Sequence, residues 1–131
     1  MGGAGVGTGL VVLVDDDDAV RRALTLLLKS YGWHVRAFAS AREFLAVAPP
    51  HGRPSCLIVD YHMPDMSGLE LLARVRARGC RVPAILITGR VDGRLRIRRA
   101  AEALAPAAFI EKPLDNDELV RTVSTALAAS V

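Results

Sequence analysis

Residues 10–24 read LVVLVDDDDAVRRAL. A wholly apolar, branched run ends in four consecutive aspartates, and an amphipathic pattern follows without a break. An uninterrupted apolar run of this kind suits a strand covered on both faces, the habit of parallel sheets. Adjacent carboxylates repel one another and gain nothing from burial. At the mouth of a buried strand they need a reason outside packing.

Working outward, the same design recurs. CLIVD (56–60) is a second apolar run closed by aspartate, and PAILIT (83–88) is a third buried strand. WHVRAF (33–38) alternates and reads as an edge or half-exposed strand, and AAFI (107–110) is a short fifth. Helical spacing separates them. Ala19, Val20, Ala23, Leu24, Leu27, Leu28 and Tyr31 recur at three- and four-residue steps, with Gly32 as the stop. Ser40 with Glu43 and Ser67 with Glu70 have capping-box spacing. The first opens a helix to about Val47, and the second opens one carrying Leu69, Leu71, Leu72 and Val75 that stops at Gly79. PPHGRP (49–54) is loop, residues 94–105 read as helix, and Asp115 with Glu118 opens a last helix through Leu127. Strand and helix thus alternate five times. That pattern predicts an α/β fold, a doubly wound five-stranded parallel sheet with five helices on its two faces.

Composition sets the outer bounds. The chain has 131 residues, 51 % of them hydrophobic, which suits one domain with a sizeable core. Residues 1–9, MGGAGVGTG, read as a flexible leader, with the domain proper over 10–131. The leader lacks both the lysine of a P-loop and the GxGxxG spacing, and it precedes a strand instead of following one. No basic n-region marks a secretory signal, and no apolar run is long enough to span a membrane. Cys56 and Cys80 read as reduced thiols of a cytoplasmic protein. The net charge of +3 is too mild to mark nucleic-acid binding unless it is clustered.

Ligands of doubly wound sheets bind beyond the carboxyl ends of the strands. Asp15 and Asp16 fall at that end of strand one, Asp60 at that of strand three and Thr88 at that of strand four, with Lys112 just past strand five. Carboxylates converging there raise one another's pKa, and a hard divalent cation removes the conflict. Mg2+ takes one or two carboxylates together with waters and phosphate oxygens. Asp60 could then serve as a carboxylate nucleophile toward a phosphoryl group. Thr88 would offer a hydroxyl and Lys112 a cation to the phosphoryl oxygens, and a cis bond at Pro113 could hold Lys112. Asp17 and Asp18 read as helix-capping acids, Asp65 as turn chemistry, and the His62 side chain as a solvated loop residue.

VLVDDDDAVRRAL, CLIVDYHMPDMSGLELL, AILITG and FIEKP together resemble the receiver domain of bacterial two-component response regulators, of the FixJ type. The resemblance covers about residues 10–128 and implies strand order 2-1-3-4-5. It implies Mg2+-dependent phosphotransfer from a sensor histidine kinase or phosphotransfer protein, with Asp60 as phosphoacceptor. Asp15 and Asp16 match the acidic pair, Asp16 being the favoured direct ligand, and His62 lends its backbone carbonyl. Thr88 and Lys112 match the phosphate-sensing positions, and Phe109 matches the aromatic switch that follows Thr88. Signalling is expected through the face of helix four, strand five and helix five. Such a domain catalyses only its own phosphorylation and dephosphorylation. A downstream protein, a DNA-binding output domain beyond this chain, or a phosphorylation-dependent homodimer would read the signal, with Gly89 leaving the site accessible.

The pattern departs in one place. The segment from Thr88 to Lys112 is slightly longer than in FixJ-type receivers, and Ala105-Pro106-Ala107 stands where an alanine-glycine-alanine turn is usual. The length and tilt of the fourth helix are therefore open. Arg90, Arg94, Arg96, Arg98 and Arg99 cluster there and read as a solvated face, the alternative being a basic dock for an acidic partner or nucleic acid. Two rival readings remain. One is a pseudo-receiver that binds without phosphotransfer. The other is a haloacid-dehalogenase-type phosphatase, with Asp15 and Asp17 as its DxD and Lys112 as its lysine.

Overall fold

The computed structural model describes residues 9–50, 53–89, 94–106 and 108–130, although not the side chains of Arg94 and Leu95. Five strands, β1 (Leu10–Val14), β2 (His34–Phe38), β3 (Ser55–Asp60), β4 (Ala84–Thr88) and β5 (Ala108–Glu111), alternate with five helices. These are α1 (Asp18–Ser30), α2 (Ala41–Leu45), α3 (Gly68–Ala77), α4 (Arg94–Glu102) and α5 (Asn116–Ala129). All pairings are parallel, and the sheet order is β2-β1-β3-β4-β5, as expected.

Strand alternation divides the core into two. Val12, Val14, Leu57, Val59 and Leu86 face α2, α3 and α4, where they meet Phe44, Leu71, Leu72, Val75 and Ile97. Val11, Leu13, Cys56, Ile58, Ile85 and Ile87 face α1 and α5, where they meet Leu24, Leu28, Leu119, Val123 and Leu127. With both faces covered, β1, β3 and β4 are buried throughout, which is why they read as unbroken apolar runs. Burial at Cys56 pushes its thiol up to about 12, so it packs as a small apolar side chain. β2 is the outer strand beside β1, and exposure of His34, Arg36 and Ala37 follows from that place.

Local signals set the helix ends. The Asp17 carboxylate accepts from the N–H groups of Ala19 and Val20 at the start of α1. Asp18, in the first turn, pairs with Arg21. Gly32 and Gly79 follow α1 and α3 with φ of 89° and 83°, left-handed values that suit glycine. Ser40 and Ser67 cap α2 and α3 by accepting from Glu43 and Glu70. The Glu43 carboxylate accepts from Ala39 N–H at 3.2 Å, and the Glu70 carboxylate pairs with Arg74, also at 3.2 Å.

Several boundaries move. α2 ends at Leu45, α4 at Glu102, and β5 spans Ala108–Glu111. After α4, Ala105 turns to a positive φ of 50°, just before Pro106. Arg76 ties this turn to α3: its guanidinium donates to the carbonyls of Leu104 at 2.7 Å and Ala105 at 3.2 Å. It also reaches the carbonyls of Cys80 and Val82. Gly9, counted with the leader on sequence grounds, is tied to the sheet: its carbonyl accepts from His34 N–H at 3.0 Å. The leader and phosphate-loop readings for residues 1–8, and those for His51 and Arg90, lie outside the described residues. No helix among the described residues is long and apolar enough to cross a membrane.

Candidate functional site

The carboxyl ends of β1, β3, β4 and β5 carry the site, and ladder bonds extend one residue past β1, β3 and β5 to hold it. Asp15 N–H donates to the Phe38 carbonyl at 3.2 Å, and Tyr61 N–H donates to that of Ile87 at 2.8 Å. Lys112 N–H donates to that of Thr88, also at 2.8 Å. Side chains remote in sequence are thereby fixed by backbone that is itself part of the sheet.

Asp15, Asp16 and Asp60 each offer a carboxylate oxygen, and these atoms lie within 4.8 Å of one another. Asp15 and Asp60 are buried, whereas Asp16 is exposed. Burial pushes the Asp15 carboxyl above the usual carboxylate range, and the charges of Asp60 and Asp16 add to it. The backbone N–H of Asp17, at 2.9 Å, and the charge of Lys112 pull the other way. Asp60 is raised by burial as well, against the Lys112 ammonium and a hydrogen bond from the His62 backbone. Lys112 Nζ stands 3.4 Å from both Asp60 oxygens, and its peptide bond to Pro113 is cis.

Thr88 is 1 % exposed, and its Oγ1 has no hydrogen-bond partner among the described residues. Such a hydroxyl costs free energy unless something arrives to use it. Asp60 lies in register with Ile87, so Thr88 stands one position beyond it on the neighbouring strand. Phe109 is half-buried, in register with Leu86 and packed against the α2–α4 side of the core. Alternation therefore places Thr88 and Phe109 on one face of the sheet.

Every donor in the acidic cluster is a hard oxygen. Three crowded carboxylates beside a single ammonium, with Asp15 and Asp60 raised by burial, fit a hard divalent cation such as Mg2+. The DxD reading is not supported, because Asp17 Oδ1 is occupied at the start of α1 while Asp60 completes the cluster with Asp15 and Asp16. The His62 side chain is exposed and packs edge-on to Tyr61 at 4.9 Å, outside the cluster.

Two contributors escaped the sequence reading. Gly68 opens α3 against the site: a Cβ there would meet the Asp60 carbonyl at 2.7 Å and the Leu86 and Val59 side chains at 2.9 Å. The glycine in MPDMSG was the available signal. Asp65 does more than shape its turn, since its carboxylate accepts from Arg42 N–H at 3.0 Å and so ties the β3–α3 loop to the start of α2.

Residues 11–124 match the family model described as the response regulator receiver domain. The transcriptional regulatory protein FixJ of Azorhizobium caulinodans is 41 % identical over 120 residues, covering 92 % of this chain and 56 % of that protein. FixJ of Rhizobium meliloti is 38 % identical over 118 residues, covering 88 % of this chain and 55 % of that protein. The chain thus spans about half the length of these relatives. The solved structure of FixJ-N superposes with a TM-score of 0.82 at 34 % identity, covering 93 % of this chain and 95 % of that one. Full-length FixJ from B. japonicum gives 0.81 at 33 % identity, covering 93 % of this chain and 59 % of that one.

Proposed function

The chain belongs to the response regulator receiver family, and from that premise we propose that it is a switch phosphorylated on Asp60 by a histidine kinase or phosphotransfer protein. One observation carries the reading: the oxygens of Asp15, Asp16 and Asp60 lie within 4.8 Å of one another, and Lys112 stands 3.4 Å from Asp60. Asp15, Asp16, Asp60 and the His62 carbonyl would hold Mg2+. Bound there, the ion offsets charge on the transferring phosphoryl oxygens.

Asp60 attacks phosphorus through a carboxylate oxygen. An O–P bond forms as the N–P bond to the donor imidazole breaks, and the bonding pair stays on nitrogen. Lys112 keeps Asp60 ionised for that attack and then faces the new phosphoryl oxygens. The unpartnered Thr88 hydroxyl donates to one of those oxygens, which draws Thr88 toward the site. Phe109 follows on the same face of the sheet. Phosphorylation thus favours one arrangement of α4, β5 and α5 through contacts the other arrangement lacks. A partner, a further domain or a second copy would read that face in the cytoplasm. The chemistry is confined to acquiring and losing its own phosphoryl group, without turnover of another substrate.

The test is intact-protein mass spectrometry after incubation with acetyl phosphate. One phosphoryl group should appear with Mg2+, and none should appear with EDTA or in Asp60→Asn. Asp60→Asn labelled like wild type overturns the assignment.

A further inference from the structure

The Arg98 guanidinium lies over the ring of Phe109, 4.9 Å from its centroid. Its place on the rim is set by its neighbours on α4. Ile97 and Ala101 are buried, and Arg76 holds the turn after the helix through the Leu104 and Ala105 carbonyls. The outer surface of a half-buried aromatic ring is therefore covered by a cation on a helix anchored independently of it.

We infer that Arg98 is a positioning residue that holds Phe109 in its resting arrangement and so sets the threshold of the switch. This rests on the reading of Thr88 and Phe109 given above. A cation over an aromatic face at an exposed site is worth about 0.5–1 kcal/mol. That contact exists only while the ring stays beneath Arg98. If Phe109 moves inward after Thr88, the contact is lost, so Arg98 favours the unphosphorylated arrangement. Removing it shifts the equilibrium toward the phosphorylated form, by about twofold to fivefold on the same scale.

The sign separates this role from simple electrostatics. A cation acting only by long-range attraction would help an anion bind, and its loss would weaken binding. The positioning role predicts the reverse.

The probe is beryllofluoride, a phosphoryl mimic, titrated calorimetrically into the full chain at saturating Mg2+. Arg98→Ala should bind about twofold to fivefold more tightly than wild type, and Arg98→Lys should restore wild-type affinity in part. In a Phe109→Leu background, Arg98→Ala should change nothing, because the ring it acts through is gone. Equal or weaker binding by Arg98→Ala with an unchanged melting temperature overturns the inference. So does an equal gain in the Phe109→Leu background. Wild type that ignores beryllofluoride, or Asp60→Asn that binds it, overturns the underlying reading of the site, and the inference falls with it.

Discussion

Lys112 Nζ stands 3.4 Å from both carboxylate oxygens of Asp60, joining residues 52 positions apart. It is the ammonium that faces three crowded acids, and it opposes the burial that raises Asp60. Lys112→Met should therefore lower the melting temperature at pH 7 in metal-free buffer. The lysine side chain is 43 % exposed, so solvent limits the loss to about 1 kcal/mol, or ~4 °C. The deficit should shrink on acidification, as the carboxyls take up protons. Differential scanning calorimetry from pH 7 to pH 4 checks both parts.

Crowded carboxylates should also make the fold responsive to a cation. A ligand at ten times its dissociation constant stabilises by about 1.4 kcal/mol, or ~5 °C for a domain of this size. Millimolar Mg2+ should raise the wild-type melting temperature on that scale, and Asp16→Asn should lose most of the rise. A melting curve indifferent to Mg2+ would count against the cluster as a cation site.

Asp15 gives a pH dependence of defined sign. Its pKa in the folded protein lies above the ordinary 3.8, chiefly through burial. The folded state then holds a proton that the unfolded chain has released, so stability falls as pH rises from 3.8 through the folded pKa. Asp15→Asn removes that cost while an amide oxygen can still accept from Asp17 N–H. Without divalent metal it should melt above wild type at pH 7, with the gap closing toward pH 4. A gap that widens on acidification would contradict the assignment.

Gly68 is placed by close approach. A methyl group there meets the Asp60 carbonyl at 2.7 Å, and backbone cannot give way as a side-chain end can. Gly68→Ala should cost about 2–3 kcal/mol and displace the backbone that carries Asp60. Urea unfolding should report the loss, and acetyl phosphate labelling of the folded variant should be slower than wild type.

Legibility in the sequence followed the range of the interaction. β1, β3 and β4 were plain because burial on both faces makes each residue apolar, and the acids at their ends were plain because α/β sheets place ligands there. Caps at Asp17, Ser40 and Asp115 act over two or three residues and left local signals. Contacts that cross between elements left none. Asp65 reaches Arg42 N–H 23 positions away, Arg76 reaches Leu104 28 positions away, and Arg98 covers a ring on another element. The end of α4 was misjudged for the same reason. Helical periodicity ran on toward Ala105, whereas the positive φ there and the Arg76 clamp close the helix at Glu102.

The central claim is that Asp60 carries the phosphoryl group among the gathered acids. Borohydride reduces an acyl phosphate and leaves homoserine in place of the aspartate, so the acceptor can be read by tandem mass spectrometry. After acetyl phosphate and Mg2+, the account predicts homoserine at position 60 and unchanged aspartate at 15 and 16. Homoserine at position 15 or 16, with Asp60 intact, would contradict it.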